Sequence, residues 1–164
     1  MLQIRQATAL DSDAVWGIFQ PIVARGDTYA LDPRISRAEA LAYWLHPANW
    51  CYVAEHQGNV VGTYLLRSNQ SGPGSHVANA AFMVSPGARG LGVGRKMGEH
   101  ALSEARRLGF LAMQFNFVVS TNERAIRLWQ QLGFEIVGTL PGAFRHPEQG
   151  LVDAYVMFRS LAQA

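Results

Sequence analysis

The sequence Arg89-Gly90-Leu91-Gly92-Val93-Gly94 lies between an apolar run over residues 80–84 and a helix-like stretch over residues 95–108. This order predicts a strand, a glycine-rich turn and the start of a helix. The first N–H groups of a helix have no partner within it, and the helix dipole adds partial positive charge there. Glycines at alternate positions let the backbone approach an anion closely and adopt positive φ. The segment therefore predicts an anion site of the kind that binds phosphate.

Two common phosphate-binding motifs do not fit this spacing. In a dinucleotide fingerprint, G-x-G-x-x-G, the sixth residue is glycine, but counting from Gly90 it is Arg95, and counting from Gly92 it is Met97. A P-loop ends in Gly-Lys-Ser/Thr, whereas Gly94 is followed by Arg-Lys-Met. A glycine-rich connection without a ligand is the alternative. The arginine, the spaced glycines and the basic helix start together favour a phosphate compound over that alternative.

Length and composition limit the class of protein. The chain has 164 residues, of which 49% are hydrophobic and 16% charged, with a net charge of +2. These values predict one domain over residues 1–164 with its own core. The charge is too small to argue for nucleic-acid binding. Cys51 is the single cysteine, and no apolar segment is long enough to span a membrane or to form a signal sequence. We expect a cytoplasmic protein without membrane association.

Hydrophobic periodicity and turn residues predict the order of the elements. Strands are expected over residues 2–7, 51–55, 60–67, 76–84, 111–118, 135–140 and 152–159. Helices are expected over residues 11–23, after the capping box Ser36-x-x-Glu39, over residues 95–108 and over residues 122–132. Pro21 is expected to kink or shorten the first helix. Alternating strands and helices in the second half imply crossovers onto a central sheet, an α/β (α+β) fold.

Two motifs together resemble the GNAT superfamily of N-acetyltransferases. The strand followed by Arg-x-x-Gly-x-Gly resembles its acetyl-CoA pyrophosphate loop. A second stretch matches its pattern Asn-x-x-Ala-x-x-Leu-Tyr-x-x-Leu-Gly-Phe at Asn122, Ala125, Leu128, Trp129, Leu132, Gly133 and Phe134. The resemblance implies one domain with a mixed sheet of six to seven strands and about four helices. It also implies that the strands holding Val84 and Asn116 splay apart, that acetyl-CoA is the co-substrate and, by analogy alone, that the chain is a homodimer.

The same resemblance implies which residues bind acetyl-CoA. A backbone N–H near Met83 or Val84, where a bulge is expected, would bind the oxyanion, and Arg89 with the N–H groups of residues 90–95 would bind the diphosphate. Asn122 would contact pantetheine, cap a helix or do both. Trp129 replaces a tyrosine common in relatives and is expected to pack in the core. The implied set is Met83, Val84, Arg89, Gly90, Leu91, Gly92, Val93, Gly94, Arg95, Asn122, Ala125 and Trp129.

The acceptor side of the reaction lacks an obvious catalytic base. No Asp or Glu lies within residues 77–84 or 111–118, and no histidine pair has metal-ligand spacing. Strand alternation predicts that Asn79 shares a face with Met83, and Asn116 with Gln114 and Val118. An asparagine inside an apolar strand is costly if unpaired. We predict that Asn79 and Asn116 bind substrate and organise catalysis, the alternative being that each bonds a neighbouring loop. The acid that protonates the leaving thiolate is water or another residue, with Ser120, Thr121 and Tyr155 as candidates, or no acid is needed.

The strings His76–Phe82, Phe115–Asn122 and Val152–Tyr155 are similar to a narrower group, the acetyltransferases of proline analogues such as azetidine-2-carboxylate. That likeness implies a small amino or imino acid as the acceptor, and substrate contacts from the asparagines matching Asn79 and Asn116. Tyr29, in a turn-rich segment before the second helix, is expected to border the acceptor. The sequence thus predicts transfer of an acetyl group from acetyl-CoA to a small amine, without a metal. A protein or peptide N-acetyltransferase and a non-catalytic CoA-binding module are the alternatives.

Overall fold

The computed structural model describes residues 1–162, which form one α/β domain. Seven strands build a single mixed sheet in the order β1-β2-β3-β4-β5-β7-β6. The strands are β1 (Leu2–Gln6), β2 (Trp50–His56), β3 (Asn59–Ser68), β4 (Val77–Val84), β5 (Ala112–Val119), β6 (Glu135–His146) and β7 (Gly150–Ser160). The α-helices are α1 (Ser12–Ala24), α2 (Arg37–Trp44), α3 (Val93–Arg107) and α4 (Glu123–Gln131).

The helices cover the two faces of the sheet and create two apolar cores. Helices α1 and α2 pack on one face, where Phe19, Trp44 and Met83 are buried together. Helix α3 packs on the other face with Met97 and Ala101, which recur at the four-residue spacing of a buried stripe. Both faces of β4 are therefore covered, which explains why its sequence is a nearly continuous apolar run. This confirms the predicted mixed sheet flanked by four helices.

Local signals predict most element ends well, and the second helix shows why. Ser36 caps α2 by accepting a hydrogen bond from the Glu39 N–H, and the Glu39 side chain accepts from the Ser36 N–H in return. Of the two effects predicted for Pro21, a kink or a shortened helix, the shortening does not occur, because α1 continues to Ala24. Burial of Ile22 and Val23 just after the proline outweighs one missing backbone hydrogen bond.

Strand β6 is longer than the sequence predicts. The sequence predicts an end at Leu140, just before Pro141 and Gly142, but the strand extends to His146. A register shift against β7 between Leu140 and Phe144 absorbs the proline, and β6 is an edge strand, where proline is tolerated. The Gly142 N–H donates to Asp153 Oδ1 at 2.9 Å. Tertiary pairing with β7 therefore overrides the local turn signal.

Two central strands separate in the middle of the sheet. Parallel strands β4 and β5 pair only from Val77–Ala112 to Asn79–Gln114. Beyond Asn79, β4 continues for five residues that do not pair with β5. The predicted splay is therefore confirmed, and it opens a gap at the centre of the sheet.

The irregular strand beside this gap is β5 and not β4. The β3–β4 register runs without a shift from Gly62–Val84 to Ser68–Ala78, so the bulge expected near the end of β4 is absent from that pairing. Instead, β5 shifts against β7 between Phe115 and Val118. Val118 consequently packs in the same core as Phe115. The prediction that Val118 shares a face with Asn116 is wrong, because the irregularity resets the strand alternation.

Candidate active site

The glycine loop between β4 and α3 has the backbone geometry that its sequence predicts. Gly90 and Gly92 have φ of 86° and 71°, values that favour glycine, and a Cβ at either position would meet nothing within 4 Å. Gly94 serves a different purpose, since a Cβ there would lie 3.4 Å from Leu128 and 3.8 Å from Val84. The first two glycines therefore shape an open concave turn, and the third lets α3 pack closely against its neighbours.

The N-terminus of α3 presents backbone donors beside this turn. Gly92 is its N-cap residue and has no side chain, so no side chain caps the helix. The N–H groups of Val93, Gly94 and Arg95 precede the first intrahelical hydrogen bond, which runs from the Lys96 N–H to the Gly92 C=O at 3.1 Å. The Arg95 guanidinium contacts Glu99 and Gln131 instead of the turn.

Among the side chains of the loop, Arg89 is the one that adds a positive charge to the backbone donors. Arg89 and Leu91 are exposed, whereas Val93 is buried in the core. Arg89 thus places a cation at the surface in the same loop as the N-cap of α3. The N–H donors, the positive end of the helix dipole and this guanidinium form an arrangement suited to a diphosphate.

The hydrogen-bond pattern of β4 decides which of its backbone groups face the gap. The Ser85 N–H donates to the Val61 C=O, and the Asn69 N–H donates to the Val77 C=O, both at 2.8 Å. Antiparallel pairing alternates, so Met83 bonds to β3 through its own N–H and C=O. The backbone groups of the alternate residues, Ala80, Phe82 and Val84, therefore point toward the gap.

A cleft of about 270 Å³ lies in this gap. Both separating strands line it, together with the loop after α1 and the start of α4. Of the residues proposed from sequence, Tyr29, Asn79, Asn116, Asn122, Ala125 and Trp129 line the cleft. Met83 and Val84 do not line it, and Met83 is buried on the α1–α2 face. The glycine loop is not part of the cleft lining, and its Gly94 lies near Val84 of β4 and Leu128 of α4.

Asn79 and Asn116 both border this cleft, and Gln114 links them. Asn79 is buried, and its Nδ2 donates to the Gln114 C=O at 3.0 Å, just where β4 and β5 part. Asn116 is exposed, accepts from Gln114 Nε2 at 2.9 Å and donates to Asn69 Oδ1 at 2.7 Å. The Asn79 Oδ1 accepts from Arg67 Nε at 3.4 Å. Both asparagines therefore belong to a polar network at the end of the gap.

Tyr29 connects the loop after α1 to the open edge of β4. Its hydroxyl donates to the C=O of Phe82, one of the carbonyls that face the gap. Burial raises the pKa of Tyr29, so the phenol remains a donor at neutral pH. This contact holds the loop after α1 beside the cleft.

Sequence comparison identifies the family of this chain. Residues 19–134 match the family described as Acetyltransferase (GNAT) family. The chain belongs to this GNAT family. It is 32% identical over 151 residues to the N-acetyltransferase aca1 of Schizosaccharomyces pombe, covering 82% of this chain and 72% of that protein.

Solved structures show the same GNAT fold. A GCN5-related N-acetyltransferase from Kribbella flavida superposes with a TM-score of 0.93 and 44% identity, covering 97% of both chains. YncA from Salmonella typhimurium, solved with its cofactor acetyl-CoA, has a TM-score of 0.87 and 25% identity, covering all of this chain and 96% of that one. The comparisons establish an acetyltransferase of the GNAT family.

Two residues of the second GNAT motif have clear structural roles. Asn122 is the N-cap of α4 and accepts from the Ala125 N–H at 3.4 Å, while also lining the cleft. Trp129 is buried, with its ring centroid 4.7 Å from those of Phe82 and Phe115. Trp129 therefore packs in the core, and Asn122 caps a helix at the edge of the cleft.

No aspartate or glutamate is among the described residues that line the cleft. Asp27 pairs with Arg25, and Asp32 accepts from the Arg34 N–H, so both serve their own loop. The candidate acids Ser120, Thr121 and Tyr155 do not line the cleft. Within residues 1–162, no group of three or more metal-ligating side chains comes together, and no helix is long and apolar enough to cross a membrane.

Three of the cleft residues that the sequence did not predict bear on its chemistry, namely Arg67, Thr28 and Phe82. Arg67 lies near the end of β3 opposite Asn79, and pairing the predicted strands would have placed it there. Thr28 has a buried hydroxyl with no hydrogen-bond partner within residues 1–162. The backbone N–H and C=O of Phe82 face the gap because of the β3–β4 hydrogen-bond register. Any residue type at this position would present the same backbone groups, so the sequence could not indicate this role.

Proposed function

We propose that this GNAT protein transfers the acetyl group of acetyl-CoA to the amine of a small amino or imino acid. The observation that carries the proposal is the opening of the sheet between β4 and β5 beside the glycine loop. An anion site, an unpaired strand edge and a small cleft with a few polar side chains are thereby neighbours. The structural likeness to YncA, solved with its cofactor acetyl-CoA, supports the choice of co-substrate.

The glycine loop would hold the diphosphate of coenzyme A. Three N–H groups, those of Val93, Gly94 and Arg95, lie at the positive end of α3, and Arg89 adds an exposed cation. The open turn at Gly90 and Gly92 leaves room for the anion, because no side chain fills it. The proposed binding of the diphosphate therefore depends on backbone N–H donors and on the lack of Cβ atoms at Gly90 and Gly92.

The exposed edge of β4 would bind the remainder of the co-substrate. Bound acetyl-CoA supplies an activated acyl group as a thioester. In the proposed reaction the acceptor nitrogen attacks the thioester carbonyl carbon, the C–S bond breaks and coenzyme A leaves as a thiolate. We assign oxyanion stabilisation to the Phe82 N–H, because Phe82 lines the cleft and its backbone faces the gap. The Val84 N–H remains available to an amide of pantetheine, whereas Met83 is paired with β3.

The acceptor must lose a proton without a carboxylate base. Most residues that line the cleft are apolar, and the lining contains no Asp or Glu among the described residues. Such surroundings lower the pKa of a bound ammonium group, so that more of the amine is neutral. The proton then leaves to water, and Asn79 and Asn116 orient the acceptor. The departing thiol has a reference pKa of about 8.5, so its thiolate leaves without a strong acid.

The size of the cleft favours a small acceptor over a peptide. Its volume is about 270 Å³, and the Tyr29 contact with Phe82 holds a loop beside it. The likeness of the strings around Asn79 and Asn116 to acetyltransferases of proline analogues supports an imino acid. A peptide acceptor would need the loop after α1 to move away.

An acceptor panel tests the proposal directly. Acetyl-CoA is mixed with the protein and L-azetidine-2-carboxylate, common amino acids, simple amines or short peptides, and thiol release and product mass are measured. We expect turnover with small amino or imino acids and little with peptides. Asn116→Ala should lower kcat at least about tenfold, the effect of losing a positioned hydrogen bond, with unchanged acetyl-CoA affinity. Faster peptide turnover would support the peptide alternative, and coenzyme binding without any transfer would support the non-catalytic one.

A further inference from the structure

Arg67 is the only ionised side chain among the described residues that line the cleft. It lies near the end of β3, directly opposite Asn79 in the β3–β4 register. Asn79 Oδ1 accepts from its Nε at 3.4 Å, and the guanidinium carbon lies 5.5 Å from the centre of the Tyr43 ring. The aromatic ring and the amide therefore fix the arginine head at the cleft wall.

No carboxylate of residues 1–162 forms an ion pair with Arg67. Seven other arginines do pair with carboxylates, namely Arg5, Arg25, Arg34, Arg37, Arg95, Arg107 and Arg127. Arg67 is half-buried, so water compensates its charge only in part. The protein thus holds a cation in a cleft that offers it neutral partners, an arrangement that favours an anionic ligand.

A second polar group in the same cleft lacks a partner. The Thr28 hydroxyl is buried and has no hydrogen-bond partner within residues 1–162, and Thr28 lines the cleft. A buried hydroxyl without a partner costs free energy, and a ligand oxygen would remove that cost. Thr28 precedes Tyr29 on the loop after α1, so it reaches the cleft from a different element than Arg67 does.

We propose that Arg67 binds the carboxylate of the acceptor and makes this carboxylate the main determinant of acceptor choice. The planar guanidinium can donate two parallel hydrogen bonds to a carboxylate, and Asn79 and Tyr43 position it to do so. Thr28 supplies a further polar contact to the acceptor. This inference rests on the proposed function, because it specifies what the acetylated amine must carry.

The spacing along β4 agrees with an acceptor of this size. Arg67 pairs with Asn79, which is three residues, or about 10 Å, from Phe82 along the strand. The extended arginine side chain and one small amino acid together bridge such a distance. The acceptor nitrogen then lies on the Phe82 side of its own carboxylate, toward the open strand edge.

Matched acid and amide acceptors test the role of Arg67. The probes are L-azetidine-2-carboxylate with its carboxamide and L-alanine with L-alaninamide, and kcat/KM is measured for each with saturating acetyl-CoA. We expect the wild type to prefer each acid by about 10- to 100-fold, as for a charged hydrogen-bonded pair. Arg67→Gln should lose that preference by lowering kcat/KM for the acid, while the value for the amide changes less than about threefold. Thr28→Val should raise KM for the acid with little change in kcat.

Two controls separate folding from recognition. Arg34→Gln removes an arginine whose side chain is 93% exposed and lies outside the cleft. This variant should leave kcat/KM unchanged for both the acid and the amide acceptor. Coenzyme A affinity and circular dichroism are measured for each variant. If Arg67→Gln does not fold, Arg67→Lys replaces it, and this variant should raise KM for the acid while keeping part of the preference.

The outcomes distinguish this inference from the proposed function. If the wild type acetylates amides as well as acids, or if Arg67→Gln keeps the acid preference, the role of Arg67 is overturned while the proposed transfer to small amines stands. If neither acids nor amides are acetylated, the proposed transfer is overturned, and calorimetry of acid binding to the coenzyme-bound protein decides the role of Arg67. Binding that Arg67→Gln abolishes would support that role, and a lack of binding to the wild type would overturn it.

Discussion

Glycine suits position 92 for two reasons. Its backbone has a positive φ, and the lack of a side chain leaves open space beside the N-terminus of α3. Its φ is 71°, and a Cβ there would project into open space. Gly92→Ala should therefore weaken coenzyme A binding by at least about tenfold, because the methyl group enters the concave turn. Strain at positive φ should reduce the free energy of unfolding by only about 1–2 kcal/mol. Calorimetry and urea unfolding measure the two effects.

Gly87→Ala is the matched control for this change. Gly87 lies in the same connection, is exposed and lacks a positive φ, and a Cβ added there would meet nothing within 4 Å. The variant should keep both coenzyme affinity and stability. A Gly92→Ala variant that binds coenzyme A as tightly as Gly87→Ala would contradict the role of the turn.

A substitution at Trp129 tests whether this residue only packs in the core or also takes part in the reaction. Its ring contacts Phe82, Phe115 and Phe134 in the core. Trp129→Phe removes volume from this cluster and should lower the free energy of unfolding by about 1–3 kcal/mol. Turnover in the folded variant should stay within about threefold of the wild type, because an indole N–H is no acid near pH 7. Collapse of kcat in a variant with normal coenzyme affinity would show a chemical role instead.

Residue type alone could not have identified Arg67 as part of the cleft. An arginine at the end of an apolar strand is ordinary, and its role depends on the partners around it. Here the register places it opposite Asn79, and α2 supplies Tyr43. The asparagines were predictable because amides inside apolar strands are unusual. Their actual partners, Gln114 and Asn69, follow only from the folded structure.

The ends of helices that depend on neighbouring residues were predictable from the sequence, whereas strand irregularities that depend on pairing with a distant strand were not. The capping box of α2 and the stop at Gly133, with φ of 88°, depend on neighbouring residues only. The β5 irregularity between Phe115 and Val118 depends on β7, which follows α4 and β6 in the chain. The sequence motif therefore predicted where the gap lies. The residues that line the gap follow only from the register of β5 against β7.

An ion pair with a testable pH dependence ties Arg5 of the first strand to Asp11, the N-cap residue of the first helix. Arg5 donates to both Asp11 oxygens, at 2.8 and 2.9 Å, and this lowers the pKa of Asp11 to about 2 from 3.8. Because the folded pKa is depressed, the stabilisation is present above about pH 4 and is lost as pH falls through about 2. Asp11→Asn should destabilise by about 1–2 kcal/mol at pH 7.

Urea unfolding at several pH values checks this prediction. The difference between the wild type and Asp11→Asn should shrink steadily between about pH 4 and pH 2. Asp13→Asn is the control, because the Asp13 side chain is 94% exposed where it pairs with Arg37. It should show little difference at any pH. A constant gap for Asp11→Asn across this range would contradict the assigned ion pair.

The gap between β4 and β5 divides the sheet into two parts. Strands β1–β4 and β5–β7 are joined in the sheet by three residue pairs, Val77–Asn79 with Ala112–Gln114. Helix α3 also contacts the end of α4 closely, since a Cβ on Gly98 would lie 2.6 Å from Leu132. The proposed co-substrate would contact β4 and α3 on one side and α4 on the other. Its binding energy should therefore stabilise the entire domain.

This linkage predicts a thermal effect that needs no turnover. Coenzyme A at about one hundred times its Kd should add about 2.7 kcal/mol to the free energy of unfolding, which raises the midpoint by about 5–10 °C in a domain of this size. Differential scanning calorimetry with increasing coenzyme measures the shift, and inorganic phosphate at equal concentration should produce none. Gly92→Ala should need at least about tenfold more coenzyme for the same shift, in line with its expected loss of affinity. A midpoint that does not move with coenzyme A would remove the diphosphate site, and with it the reason to regard the gap between β4 and β5 as catalytic.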